Sequence, residues 1–335
     1  MKISASIYSD KKRPLEEVIR DLEAHQVDML HVDCNDDISV FEDIAAIREW
    51  CSLPIDLHII TSEPEKYFDL LRIHPVEYVT FQFEDLPNGM LALPEDISGK
   101  KGLAIITPTS IEVFEQFHHF DFILIMATIP GQSGGVFDRI NFTKIRQFRS
   151  RFPSKSIHVD GGVNGEVSFI LRNMGVSSSV SGSYLFNAPS VGHALMNLTK
   201  REIESQFHVS DFMIPIEECP IVALETIDVK ETLETIERGN LGFCLVCSHT
   251  GDLTGIISSA DIRKALLKSL ENQTEINAES MINAHPVSLF EDNTVVEMLQ
   301  HIKKCSFPVM YMPVIDRTGK ACGIVNFVHL IKGEL

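Results

Sequence analysis

No apolar run in the 335-residue chain approaches the roughly 18–20 residues that a membrane span requires. The opening stretch, MKISASIYSDKKRPLEE, has no long apolar segment after Lys2, so a secretory leader is not expected. Basic residues are scarce: 29 Lys and Arg stand against 47 Asp and Glu, a net charge of −18 spread over both halves. Such a surface repels a phosphate backbone, which argues against nucleic acid as a partner. Cysteine is sparse as well. Its odd count of seven is scattered along a chain too long to need disulfide staples, which fits a reducing cytoplasm. Cys244-Leu-Val-Cys247 has redox or zinc spacing, but it lies in an apolar run with no second pair and reads as buried strand thiols. What remains is ordinary globular material, 44% hydrophobic and 23% charged, and long enough for about two domains.

Eight short apolar runs punctuate the first 200 residues, at 3–8, 29–33, 55–60, 78–81, 102–106, 122–126, 157–160 and 179–181. Between them, segments such as 15–24, 40–49, 63–71, 140–148 and 165–173 carry apolar residues at three- and four-residue steps, the helical period. Pro87, Asn88, Gly89 and Pro94 break the fourth connection. This alternation predicts an α/β fold, a compact (β/α)8 TIM barrel. The last 125 residues repeat themselves instead. Met213 and Met281, Gly251 and Gly319, and Gly255-Ile256 and Gly323-Ile324 recur at an offset of 68, which predicts two pseudo-symmetric α+β modules.

In a barrel the C-terminal strand ends share one mouth. Alternation turns His31 and Asp33 of the second strand to the same side, where His58 of the third and Asp160 of the seventh join them. Two histidines and two carboxylates suit one divalent ion: zinc, iron or manganese. Gly161-Gly162 and Gly182-Ser183 follow strands seven and eight, where barrels commonly hold a phosphate, and Pro130 to Gly135, with Gly134 and Gly135 at its end, reads as a lid. A cation, two carboxylates and a phosphate grip favour proton transfer beside a carbonyl. One carboxylate removes a proton, the enediolate is stabilised, and the other carboxylate returns a proton to the opposite face. That is an epimerisation, and it needs no organic cofactor.

At these residues the chain resembles the ribulose-phosphate 3-epimerase family, over roughly residues 1–195. The matching elements are Ser4-Ala5-Ser6-Ile7, His31-x-Asp33, Asp56-x-His58, Pro130-Gly131 with Gly134-Gly135, Val159-Asp160-Gly161-Gly162-Val163 and Ser181-Gly182-Ser183. The resemblance implies metal ligation by His31, Asp33, His58 and Asp160, and acid–base roles for Asp33 and Asp160. It also implies substrate contact by Ser6 and a phosphate held by Gly162, Gly182 and Ser183, with D-ribulose 5-phosphate as the default ketose phosphate. The chain departs from the family pattern at Asn35 and Ile60, where methionines are expected, at Gln132 and Val136 in the lid, and at Thr107-Pro108. These positions line the site, so the same chemistry is expected in an altered pocket.

The duplicated half resembles a tandem pair of CBS domains. Residues 255–263, Gly-Ile-Ile-Ser-Ser-Ala-Asp-Ile-Arg, match that family's ribose-binding signature and imply an adenine nucleotide held by Ser258 and Asp261. The alternative is that Ser258 caps a helix and Asp261 complements its dipole. His329 stands where the acid would recur in the second copy. The expected organisation is therefore a barrel over 1–195, a linker over 196–208, and CBS modules at 209–270 and 277–335. Pairing of such modules implies a homo-oligomer. The alternative for the whole chain is a catalytically lapsed barrel that senses a sugar phosphate.

Overall fold

The computed structural model describes residues 1–128, 134–200, 206–305 and 309–328. The described residues divide into two compact units, 1–200 and 206–328.

In the first unit eight strands pair in sequence order into a closed parallel barrel. They are β1 (Lys2–Ser6), β2 (Met29–Asn35), β3 (Ile55–Ile60), β4 (Tyr78–Gln82), β5 (Lys100–Ile106), β6 (Phe122–Met126), β7 (Ser156–Asp160) and β8 (Ser178–Ser181). Each predicted run forms a strand, with ends shifted by at most two residues. Outward positions such as Leu30, Val32, Leu57, Ile59 and Phe81 are buried beneath the helices, as expected where both faces of a sheet are covered. Inward positions divide by chemistry. The inner faces of β5 and β6 contribute the apolar cluster Ala104, Leu124 and Met126, whereas β1–β4, β7 and β8 bury Ser4, His31, Asp56, His58, Thr80, Gln82, His158 and Ser178. An interior so polar is not built for packing alone.

Helices α1 (Leu15–Ala24), α2 (Val40–Trp50), α3 (Phe68–Ile73), α4 (Ile140–Arg151), α5 (Gly165–Asn173), α6 (Ser183–Phe186) and α7 (Val191–Thr199) belong to this unit. The apolar stripe of α1, Val18, Ile19 and Leu22, is fully buried, and Glu16 and Glu17 complement the dipole of its first turn. The segment predicted at 63–71 begins as a tight turn, Pro64–Tyr67, because proline suits a first turn, and only then continues as α3. The fourth and fifth connections hold 3₁₀ turns in place of α-helices. Helix α7 runs to Thr199, so the linker expected from residue 196 starts inside its last turn.

The second unit contains α8 (Val209–Phe212), β9 (Ile214–Pro215), β10 (Ile221–Ala223), α9 (Val229–Gly239), β11 (Phe243–Cys247), β12 (Leu253–Ser258), α10 (Ser259–Asn272), β13 (Leu289–Phe290), α11 (Val295–Lys304), β14 (Tyr311–Ile315) and β15 (Ala321–Asn326). Two sheets form, β10-β11-β12 and β13-β14-β15-β9. The repeats exchange their opening segments. β9, from the start of the first copy, pairs with β15 of the second, while Met281 packs with Val222, Cys244, Val246 and Ile257 of the first. Cys244 and Cys247 are buried strand thiols, as expected. They fall in different core clusters on opposite faces of β11, so they cannot share a ligand. Among the described residues no helix is long and apolar enough to cross a membrane.

Candidate active site at the barrel mouth

Parallel pairing sets the site. Register aligns His31 with Asp56 and Asp33 with His58 across β2 and β3, and Ser6 with His31 across β1 and β2. His31, Asp33 and His58 each offer a ligand atom, and these atoms lie within 4.8 Å of one another. Asp33 Oδ1 stands 3.2 Å from His31 Nε2 and 3.6 Å from His58 Nδ1. Asp160 approaches from β7, with Oδ2 3.9 Å from His31 Nε2. His158, two residues earlier, plays no part in this group: it stacks on Phe122 at 4.1 Å, and burial pulls its imidazole down to about 4, so it stays neutral.

The outward partners of the two histidines decide what faces the centre. His31 Nδ1 lies 2.9 Å from Asp56 Oδ2, which also accepts from Ser4 Oγ at 2.9 Å. A carboxylate only accepts, so His31 carries a hydrogen on Nδ1 and turns Nε2 to the centre. His58 Nε2 lies 2.9 Å from Gln82 Oε1, and the Gln82 amide nitrogen donates to Glu84 and, at 3.5 Å, to the Ala104 carbonyl. That orientation turns Oε1 towards His58, places its hydrogen on Nε2 and bares Nδ1. Among the described residues the buried His31 Nε2 and His58 Nδ1 have no hydrogen-bond partner. Two imidazole nitrogens, one from each ring, converge beside two carboxylates, and once any proton there gives way to a cation they form a fitting N/O donor set for a divalent ion. Ser4 and Asp56 enter the sequence reading only as elements of the resemblance, without a role of their own, and Gln82 and Glu84 do not enter it. The period-2 spacing of Asp56 before His58 is the one local signal that points to any of them.

Electrostatics separates the carboxyls. Burial works against ionisation of Asp33, but the His31 and His58 rings outweigh it and hold its carboxyl far below the usual range. Burial pushes Asp160 upward, and the nearby Asp33 adds to this against the pull of His31. For His31, burial is outweighed by Asp33 and Asp56, which keep its imidazole well above its ordinary value. The proton so favoured takes the place open to a cation.

The glycines form a second corner of the mouth. A Cβ on Gly182 would lie 2.1 Å from Ser9 Oγ and 3.2 Å from Ser6 Cβ, so the β8 loop approaches the end of β1 closely. Ser9 Oγ donates to Ser6 Oγ at 3.1 Å, and the side-chain direction of Gly134 faces Ser183 Oγ. Gly161 packs on Thr128, as does Gly135, and Gly162 packs on the Val136–Phe137 backbone. Gly162 has φ +66°, and a Cβ there would come 2.2 Å from Phe137 N. Gly162→Ala should therefore destabilise the barrel by at least ~1–2 kcal/mol, the usual penalty of a left-handed non-glycine residue, as read by denaturant unfolding. The remainder of the expected lid, Pro130 to Ser133, lies outside the described residues, as does His329. The departures Asn35 and Ile60 face each other in register at the ends of β2 and β3; Asn35 and Val136 are exposed.

In the second unit Ser258 Oγ caps α10 by accepting from Asp261 N at 3.3 Å, and the Asp261 carboxylate accepts from Ser258 N at 3.0 Å and from its hydroxyl. The two signature residues therefore form a capping box, and each satisfies the other.

Comparison with known proteins bears on the barrel first. Residues 2–186 match the profile of the ribulose-phosphate 3-epimerase family, and residues 209–268 match the CBS domain. Ribulose-phosphate 3-epimerase of Bacillus subtilis is 27% identical over 200 residues, covering 56% of this chain and 92% of its own. The enzyme of Methanocaldococcus jannaschii is 28% identical over 218 residues, covering 61% and 92%. Among solved structures, the CBS-pair protein CBSX2 of Arabidopsis thaliana superposes with a TM-score of 0.32 at 18% identity, over 39% of this chain and 95% of that one. CBSX2 in complex with AMP gives 0.33 at 20%, over 38% and 96%. With more than half its length matched by the family profile, and its eight-stranded parallel barrel followed by a CBS-pair module, the chain belongs to the ribulose-phosphate 3-epimerase family.

Proposed function

We propose that the barrel is a metal-dependent 3-epimerase of a phosphorylated ketose, interconverting D-ribulose 5-phosphate and D-xylulose 5-phosphate. The observation that carries this reading is the pair of unpartnered imidazole nitrogens, His31 Nε2 and His58 Nδ1, converging with Asp33 and Asp160. A divalent cation held by these four residues would place positive charge beside the ketone oxygen and ease loss of the neighbouring proton. Asp33, kept ionised, takes the C3 proton from one face of the sugar; Asp160, whose carboxyl is pushed up, returns a proton to the other. Ser6 contacts the substrate, and the corner formed by Gly134, Gly135, Gly161, Gly162, Gly182 and Ser183 takes the phosphate. The apolar inner wall of β5 and β6 shields the reacting carbons.

The reading extends to an adenine nucleotide at Ser258 and Asp261 that regulates the barrel. Binding requires the ribose hydroxyls to replace the Ser258–Asp261 bond. It also includes a homo-oligomer formed through the CBS pair, a cytoplasmic setting, and a barrel that ends with α7 at Thr199, followed by CBS modules at 209–270 and 277–335. The exposed Asn35 and Val136 favour a second reading, a barrel that binds a sugar phosphate without turning it over.

Incubating manganese-loaded protein with ribulose 5-phosphate in deuterium oxide separates the two. Deuterium at C3 with xylulose 5-phosphate appearing is the expected result. Exchange only with a six-carbon ketose phosphate would move the substrate and keep the chemistry. No exchange with any ketose phosphate, despite bound metal, would favour the sensor.

A further inference from the structure

His58 can serve as a ligand only if its hydrogen sits on Nε2, and its neighbour Gln82 does not guarantee that. An amide is nearly symmetric in shape. Rotated by half a turn, Gln82 would present its NH2 group to His58, move the ring hydrogen to Nδ1 and close the face that looks into the mouth. What stops the rotation is Glu84, two residues beyond β4, whose carboxylate accepts from the Gln82 amide nitrogen. A rotated amide would set Oε1 against that carboxylate and near the Ala104 carbonyl, acceptor against acceptor.

Glu84 is itself held. Its other oxygen accepts from the N–H of Ile106, the last residue of β5, at 3.1 Å and from the hydroxyl of Thr109, in the turn that follows. That turn is clamped by Lys144 of α4, whose ammonium donates to the carbonyls of Ile106 (2.8 Å), Thr107 (2.6 Å) and Thr109 (2.6 Å). Asn141, one turn earlier on α4, donates to Thr107 Oγ1 at 3.0 Å. The departure at Thr107-Pro108 therefore falls within this brace.

We propose that Glu84, braced by the Lys144-clamped turn after β5, is a positioning residue that fixes the Gln82 amide and through it the tautomer and ring orientation of His58. The proposal rests on the metal-site reading only for its consequence; the tautomer itself is a property of the metal-free protein.

The test uses full-length metal-free protein labelled with 15N-histidine, read by long-range proton–nitrogen NMR, with Mn2+ titrated afterwards. Wild type should show His58 hydrogenated on Nε2. Glu84→Ala, at an exposed position where folding is not at stake, should populate the Nδ1–H form and bind Mn2+ roughly 10-fold more weakly, the lower end of what loss of a ligand's support costs. An unchanged Nε2–H signal in Glu84→Ala would overturn the proposal whatever the affinity. If wild type takes up no Mn2+, the metal-site reading fails, and the tautomer comparison still decides the role of Glu84.

Discussion

Asp160→Asn is expected to cut epimerisation by about 10²–10⁴-fold, the usual contribution of a positioned acid or base, while leaving hydrogen exchange at C3 intact for one of the two epimers. The asymmetry follows from placement. Asp33 and Asp160 reach the mouth from β2 and β7, 3.2 and 3.9 Å from His31 Nε2, and their environments push their carboxyls in opposite directions. Asn at position 160 cannot move a proton, but His31, Asp33 and His58 remain. The epimer whose C3 proton faces Asp33 should still exchange with deuterium oxide and simply fail to invert. Asp33→Asn should show the mirror image, with exchange surviving only in the other epimer. NMR of C3 in each pure epimer, with metal content measured in parallel, reads both effects. Equal loss from both epimers with metal retained would exclude two opposed bases.

Removing the cation should be the second large effect. A divalent ion present at 100 times its dissociation constant adds about 2.7 kcal/mol to the folded state, or roughly 5–10 °C in the unfolding midpoint of a domain of this size. His58→Ala should abolish this metal-dependent shift. Its outer nitrogen is committed to Gln82, and its inner one is among the few donors facing the centre. The shift is the quantity to compare, because deleting a buried ring lowers the absolute midpoint by itself. His118→Ala, at an exposed position in the β5–β6 connection, should keep the shift unchanged. Scanning calorimetry with manganese and with chelator measures both variants. A full shift in His58→Ala would remove that residue from the ligand set.

Much of this molecule is written in local periodicity. Strand runs appear as apolar stretches because a parallel barrel buries both faces. The 3.6-residue stripes of α1 and α5 mark their own helices, and alternation alone sends His31 and Asp33 to the same side. The bonding of Ser258 to Asp261 was equally legible as a cap, since its partners are three residues apart. Other features are not local. The exchange of β9 into the sheet of the second repeat follows no period, because Ile214 finds Ile324 more than a hundred residues away.

The sequence by itself determined the barrel, the duplication and the four polar residues at the strand ends, because each depends on spacing within one element. Only the tertiary structure decided which nitrogen of each histidine looks into the mouth. That choice belongs to Asp56 for His31, and to Gln82 and Glu84 for His58, groups on strands or loops that meet their partners only when the barrel closes and its register is fixed. A hydrogen bond across a closed sheet leaves no period along the chain, so the donor set could be listed from sequence while its chemistry had to wait for the fold.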